Sequence, residues 1–133
     1  MESTSGKTAK KQTVDDCSDD PAHRGKSPIV VVSFTTPPDH FEFSCHEVTM
    51  RAKGKVQLHR ASKEDNWIFV RVNGLPESEF EVTIGGDGKT VTILDKYKTP
   101  NTSFPYTVTV RDECGGEHTS PGDRPTPPMI RNR

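Results

Sequence analysis

Phe80-Glu81-Val82-Thr83-Ile84-Gly85-Gly86-Asp87-Gly88-Lys89-Thr90-Val91-Thr92-Ile93 decides the fold class. Apolar side chains occupy every second position on both sides of a glycine-rich tetrad. A period of two sends alternate side chains to opposite faces of a sheet. Glycines supply the backbone freedom of a tight turn. The stretch predicts a β-hairpin over residues 80–94.

The same period recurs outward. Tyr106-Thr107-Val108-Thr109-Val110 alternates, and so does Phe41-Glu42-Phe43-Ser44-Cys45. His46-Glu47-Val48-Thr49-Met50 continues with its apolar set on even numbers. The phase therefore flips at Cys45-His46, as a bulge or a bend between sheets would make it. Trp67-Ile68-Phe69-Val70-Arg71-Val72 is apolar on both faces, which predicts a central strand. Val56-Gln57-Leu58 is a short strand after the turn Lys53-Gly54-Lys55. Arg60 to Asn66 offers only a loop or a single helical turn, because no amphipathic repeat follows it. The expected core includes Phe43, Val70, Val72, Val82, Ile84, Ile93, Val108 and Val110, with Trp67 and Tyr106 as core aromatics.

About seven strands with turn signals every 8–14 residues predict an all-β, antiparallel immunoglobulin-like β-sandwich. Of the 133 residues only 29% are hydrophobic, and the shortage lies at the ends. Residues 1–27 carry too little apolar surface to offset chain entropy and read as a disordered N-terminal tail. Residues 28–120 form the sandwich domain. Residues 121–133, with Pro121, Pro125, Pro127 and Pro128, read as a Pro-rich extended C-terminal tail.

The net charge of −1 excludes a global bias toward nucleic acid or acidic membranes. No apolar run is long enough to span a bilayer, and the N-terminus lacks a signal-peptide core. The expected compartment is cytoplasmic. Asn101-Thr102-Ser103 fits a glycosylation sequon that a cytosolic chain would not use. The three cysteines, Cys17, Cys45 and Cys114, are expected as free thiols, with a Cys45–Cys114 bond left open.

Gly88-Lys89-Thr90 lacks both the upstream glycine and the following helix of a phosphate-binding loop. No nucleophile elbow or catalytic cysteine signature is present, so no catalytic residue is assigned. Glu77, Glu79 and Glu81 read as a solvated strand face. Cys45, His46, Cys114 and His118 lack recognised zinc spacing.

Cys114-Gly115-Gly116-Glu117-His118 resembles part of a copper-binding cupredoxin loop. The resemblance implies a small metal-binding or redox protein using Cys114 and His118. A blue-copper site also needs a second histidine and usually a methionine. No histidine stands near Asn66, and Met129 lies far beyond His118. Neither metal nor cofactor is therefore assigned.

Tyr106-Thr-Val-Thr-Val-Arg-Asp-Glu-Cys-Gly-Gly resembles the last strand and exit of bacterial immunoglobulin-like domains over residues 28–120. Position 112 is Asp, where antibody-type domains carry a tyrosine two residues before the cysteine. Asp123-Arg-Pro125-Thr-Pro127 resembles the ending of the uncharacterised bacterial DP-EP family, although the dipeptides are not intact. That family has no established activity, so it implies the fold and no mechanism.

The remaining functional reading is a non-enzymatic module acting by protein-protein contact. Ile29, Val30, Val31, Val32, Ser33 and Phe34 are expected to form an exposed edge strand opened by Pro28. Such an edge would pair with an unknown protein partner or make a homo-oligomer.

Overall fold

The computed structural model describes residues 16–18, 27–61, 66–121 and 126–133. The described residues contain twelve strands and no helix. They are β1 (Asp16–Ser18), β2 (Ile29–Thr35), β3 (His40–Phe43), β4 (Glu47–Met50), β5 (Gly54–Arg60), β6 (Trp67–Asn73), β7 (Phe80–Ile84), β8 (Thr90–Asp95), β9 (Thr102–Pro105), β10 (Thr107–Asp112), β11 (Glu117–Thr119) and β12 (Met129–Asn132). A five-stranded sheet has the order β3-β2-β5-β8-β7. A four-stranded sheet has the order β1-β4-β12-β9, and a three-stranded one β11-β10-β6. Tyr106 separates β9 from β10, and its amide donates to the Pro128 carbonyl at 3.0 Å.

The all-β expectation holds, but the sheets are mixed rather than antiparallel. β1 and β12 both run parallel to β4, and β2 runs parallel to β5. Side-chain period is the same in either direction, so it cannot distinguish them. The hairpin is present as read, β7 pairing antiparallel with β8. The phase flip at Cys45-His46 is a change of sheet. β3 ends in the five-stranded sheet and β4 begins in the four-stranded one.

One core joins the sheets. Val30, Val32 and Phe34 of β2 meet Val56 and Leu58 of β5 and Val91 and Ile93 of β8. Trp67, Phe69, Tyr106, Val108, Val110 and Ile130 complete it. Each such side chain, fully buried, contributes about 1.5–3 kcal/mol of transfer free energy. Aromatic rings pack edge-on, Trp67 against Phe69 at 5.0 Å and Phe80 against Phe104 at 5.0 Å.

Several expectations are corrected. β6 ends its sheet instead of lying centrally. Its apolar phase shifts where the pairing with β10 slips at Thr109/Val110. Trp67 and Phe69 are buried before that slip, while Val72 packs on the core after it and Val70 is half-buried. Val82 is 37% exposed, because it stands on an end strand. Phe43 and Ile84 are half-buried against the core. The C-terminal segment is not an extended tail throughout: Met129–Asn132 forms β12, between β4 and β9, with Ile130 wholly buried. Asp16–Ser18 of the expected disordered tail forms β1 on β4. Residues 1–15 and 19–26, and residues 62–65 of the Arg60–Asn66 loop, lie outside the described residues.

Two buried carboxylates fasten the end of the molecule near β12. Glu79 accepts from the Lys98 amide at 2.7 Å, the Thr99 amide at 3.0 Å and the Thr99 hydroxyl at 2.8 Å. The Asn132 amide group bridges Glu79 and Asp95. Glu79 is therefore a buried fastening of the loop after β8, and not part of a solvated face as expected.

Candidate functional site

The segment Asp112-Glu113-Cys114-Gly115-Gly116 folds back on itself around one carboxylate. Asp112 Oδ1 accepts from the amides of Cys114 and Gly116, both at 2.9 Å. The Gly115 amide donates to the Asp112 carbonyl, and Gly115 has φ +92°, a conformation that favours glycine. This occupies one carboxylate oxygen and leaves the other to face β11. There His118 Nε2 lies 2.8 Å from Asp112 Oδ2.

The second ring nitrogen is also committed. His118 Nδ1 lies 3.0 Å from Oδ2 of Asp39, in the turn between β2 and β3. Asp39 is steadied by the Thr36 hydroxyl at 2.8 Å. The imidazole packs on Phe34 with ring centroids 4.9 Å apart. Ionised carboxylates only accept, so the two contacts favour the doubly protonated imidazolium, the one form in which both ring nitrogens donate.

The electrostatics agree with that geometry. The Asp112 carboxylate, more than Asp39, raises the His118 pKa above its ordinary 6.5, against the opposing effect of partial burial. Reciprocally, His118 and then the Gly116 amide hold Asp112 below its ordinary 3.8. Beside the cluster a hollow of about 180 Å³ is lined by Phe34, Thr35, Thr36, Asn66, Trp67 and Asp112.

Cys114 lies in this turn and His118 on β11 beyond it, with no contact between them among the described interactions. The Cys114 thiol is free and exposed, and both His118 nitrogens face carboxylates. Cys45 is disulfide-bonded, which corrects the free-thiol expectation, and its partner is not Cys114. His46 approaches Thr126 at 3.4 Å. Thus Cys45, His46, Cys114 and His118 are not gathered. Among the described residues, no group of three or more His, Cys, Asp or Glu side chains is placed to hold a metal ion. Asp39 was missed because it is 79 positions from His118, beyond any local pattern. Asp112 did carry a signal, an aspartate preceding Gly115-Gly116, where Asx turns form.

Ile29, Val30, Val31, Val32, Ser33 and Phe34 do form a strand, but its expected edge position is corrected. β2 lies between β3 and β5. Even at Val31 the backbone is committed: Ser44 Oγ accepts its amide at 2.8 Å, and the Ser44 amide donates to its carbonyl at 2.9 Å. Ile29 and Val31 are 47% and 40% exposed.

Among the described residues, β7 is one end of the five-stranded sheet and β3 the other. The Lys96 amide bonds the Glu79 carbonyl, and the Gly85 amide bonds the Thr90 carbonyl. With Phe80 opposite Asp95 and Ile84 opposite Val91, antiparallel alternation directs the odd-numbered backbone groups toward β8. The backbone groups of Phe80, Val82 and Ile84 point away. The Phe80 amide is taken by the Pro76 carbonyl at 2.9 Å. Among the described residues, no strand pairs with the outer side of Val82 and Ile84.

No helix among the described residues is long and apolar enough to cross a membrane. Comparison with protein-family models, curated proteins and solved structures finds no match.

Proposed function

We propose that this chain is a non-enzymatic immunoglobulin-like β-sandwich module that acts by protein-protein contact through strand addition. The observation that carries the reading is the unpaired outer edge of β7, with Val82 37% exposed on it. An open edge offers backbone donors and acceptors to any extended segment. Glu77 and Glu81 are exposed beside it. A partner strand with alternating apolar and basic residues suits that environment. A catalytic role has less support. His118 is bonded to two carboxylates, and no described nucleophile is bonded to it. A metal or redox role for Cys114 and His118 would first have to break both of those bonds. The disulfide at Cys45 stands against the cytosolic expectation, since such bonds persist mainly in oxidising compartments.

Amide hydrogen exchange tests the reading, with peptides of alternating valine and lysine as the probe. Protection of Val82 and Ile84 on peptide addition is expected. Protection confined to β2 or β3, or none with any extended peptide or second copy, rejects it.

A further inference from the structure

We infer that Asn101 is a modification site, the acceptor of an N-linked oligosaccharide in the loop that leads into β9. The inference does not depend on strand addition. Asn101-Thr102-Ser103 has the acceptor pattern, with a residue other than proline in the middle and a hydroxyl at the third position. The ground for setting it aside was the cytosolic expectation. The disulfide at Cys45 removes that ground, because such bonds persist in secreted and extracellular proteins, the setting in which this pattern is used.

The fold presents the two residues that matter. Asn101 and Ser103 are both exposed. Among the described residues, neither the Asn101 amide group nor the Ser103 hydroxyl is taken by a hydrogen bond. The middle residue differs: the Thr102 hydroxyl donates to the Pro100 carbonyl at 3.1 Å. Asn101 has φ +59°, a left-handed turn conformation that asparagine tolerates. Asn101 and Ser103 border an open hollow of about 360 Å³ that has Arg131 and Arg133 on its wall. A first sugar there meets guanidinium donors for its oxygens. β9 is also an end strand of its sheet. An oligosaccharide at its head hinders the approach of a further strand, which is one way of protecting an edge.

The sugar comes from an oligosaccharide linked to a lipid pyrophosphate. The bond from its anomeric carbon to the pyrophosphate oxygen breaks, and that carbon bonds to Asn101 Nδ2. The amide group gives up one proton to a base of the transferase. The lipid pyrophosphate leaves with the electron pair, and nothing is oxidised or reduced.

Intact mass spectrometry of the full chain from its own cells tests the inference, before and after peptide-N-glycosidase. The chain should be heavier than its polypeptide and return to the polypeptide mass on treatment, with Asn101 left as an aspartate. Ser103→Ala should lose the sugar completely, and Ser103→Thr should keep it. Thr102→Ala should also keep it, since the middle position is not read. Should Ser103→Ala misfold, Asn101→Gln at an exposed position takes its place and should lose the sugar equally. An unmodified native chain overturns the inference. So does a sugar that survives Ser103→Ala or Asn101→Gln, or one carried by another residue.

Discussion

His118 Nε2 and Asp112 Oδ2 stand 2.8 Å apart, across a turn whose own amides hold the opposite oxygen of the same carboxylate. The histidine thus meets a fixed acceptor. Its other nitrogen reaches Asp39, tying the β2–β3 turn to β11. The His118 pKa is raised above 6.5. The clamp's contribution to stability is therefore fully present below the unfolded-state value and is lost as pH rises through the folded-state value. Asp112 has the opposite sign. Its contribution is present above pH 3.8 and is lost as pH falls through its depressed pKa. NMR titration of the His118 ring checks this. A value above 6.5 is expected in wild type, lowered by Asp39→Asn and lowered further by Asp112→Asn. A midpoint at or below 6.5 in wild type would remove the clamp.

Glu79 is 3% exposed and accepts two amides, a hydroxyl and the Asn132 amide group. Burial alone would raise its pKa, but the bonds from Thr99 and Lys98 outweigh it and hold the group below 4.5. Glu79→Ala leaves buried donors without an acceptor and should cost about 3 kcal/mol in urea unfolding. Thr99→Val, which loses one hydroxyl donor, should cost about 1 kcal/mol. Equal effects would show that the loss is steric rather than polar.

Gly88 seats the hairpin tip on β6. A Cβ there would lie 2.7 Å from Ile68 Cβ, and φ is +74°. The Gly88 carbonyl also accepts the Phe69 amide at 2.8 Å. Gly88→Ala should cost about 2 kcal/mol or more, from the backbone term together with the clash. Gly86→Ala, with nothing within 4 Å, should be close to neutral. The comparison is read from paired denaturation midpoints at equal slope.

Ile130 tests whether the C-terminal segment is structural. Its side chain is wholly buried in the core. Ile130→Ala should lower stability by about 2–5 kcal/mol. A change under about 0.5 kcal/mol, the range of ordinary surface substitutions, would return residues 129–132 to the status of a tail.

How legible each feature was depended on whether its cause was local. The hairpin and the change of sheet at Cys45-His46 were readable because side-chain phase and turn glycines are written in adjacent residues. β12 was not. The prolines before it argue for extension, and only Met129 and Ile130 are apolar, so the strand owes its existence to β4 and β9 on either side. Position within a sheet was equally hidden. Pro28 suggested an edge, yet its carbonyl accepts the Gln57 amide at 3.0 Å, where β5 runs alongside β2. His118 was noticed for its spacing from Cys114, whereas the partners that occupy it are Asp112 and the distant Asp39.

β12 has a consequence in time as well as in space. β4 gains β12, one of its two parallel neighbours, from a distant part of the sequence, so that ladder cannot grow outward from a local hairpin. A long loop must close before any of its bonds can form. Proteins dominated by such distant pairings fold in milliseconds to seconds, not microseconds. During that interval Val48 and Met50, both buried at the end, lack their in-sheet neighbours Ile130 and Asn132. The chain is then most exposed to misassembly, and its folding yield should fall with concentration sooner than its equilibrium stability suggests.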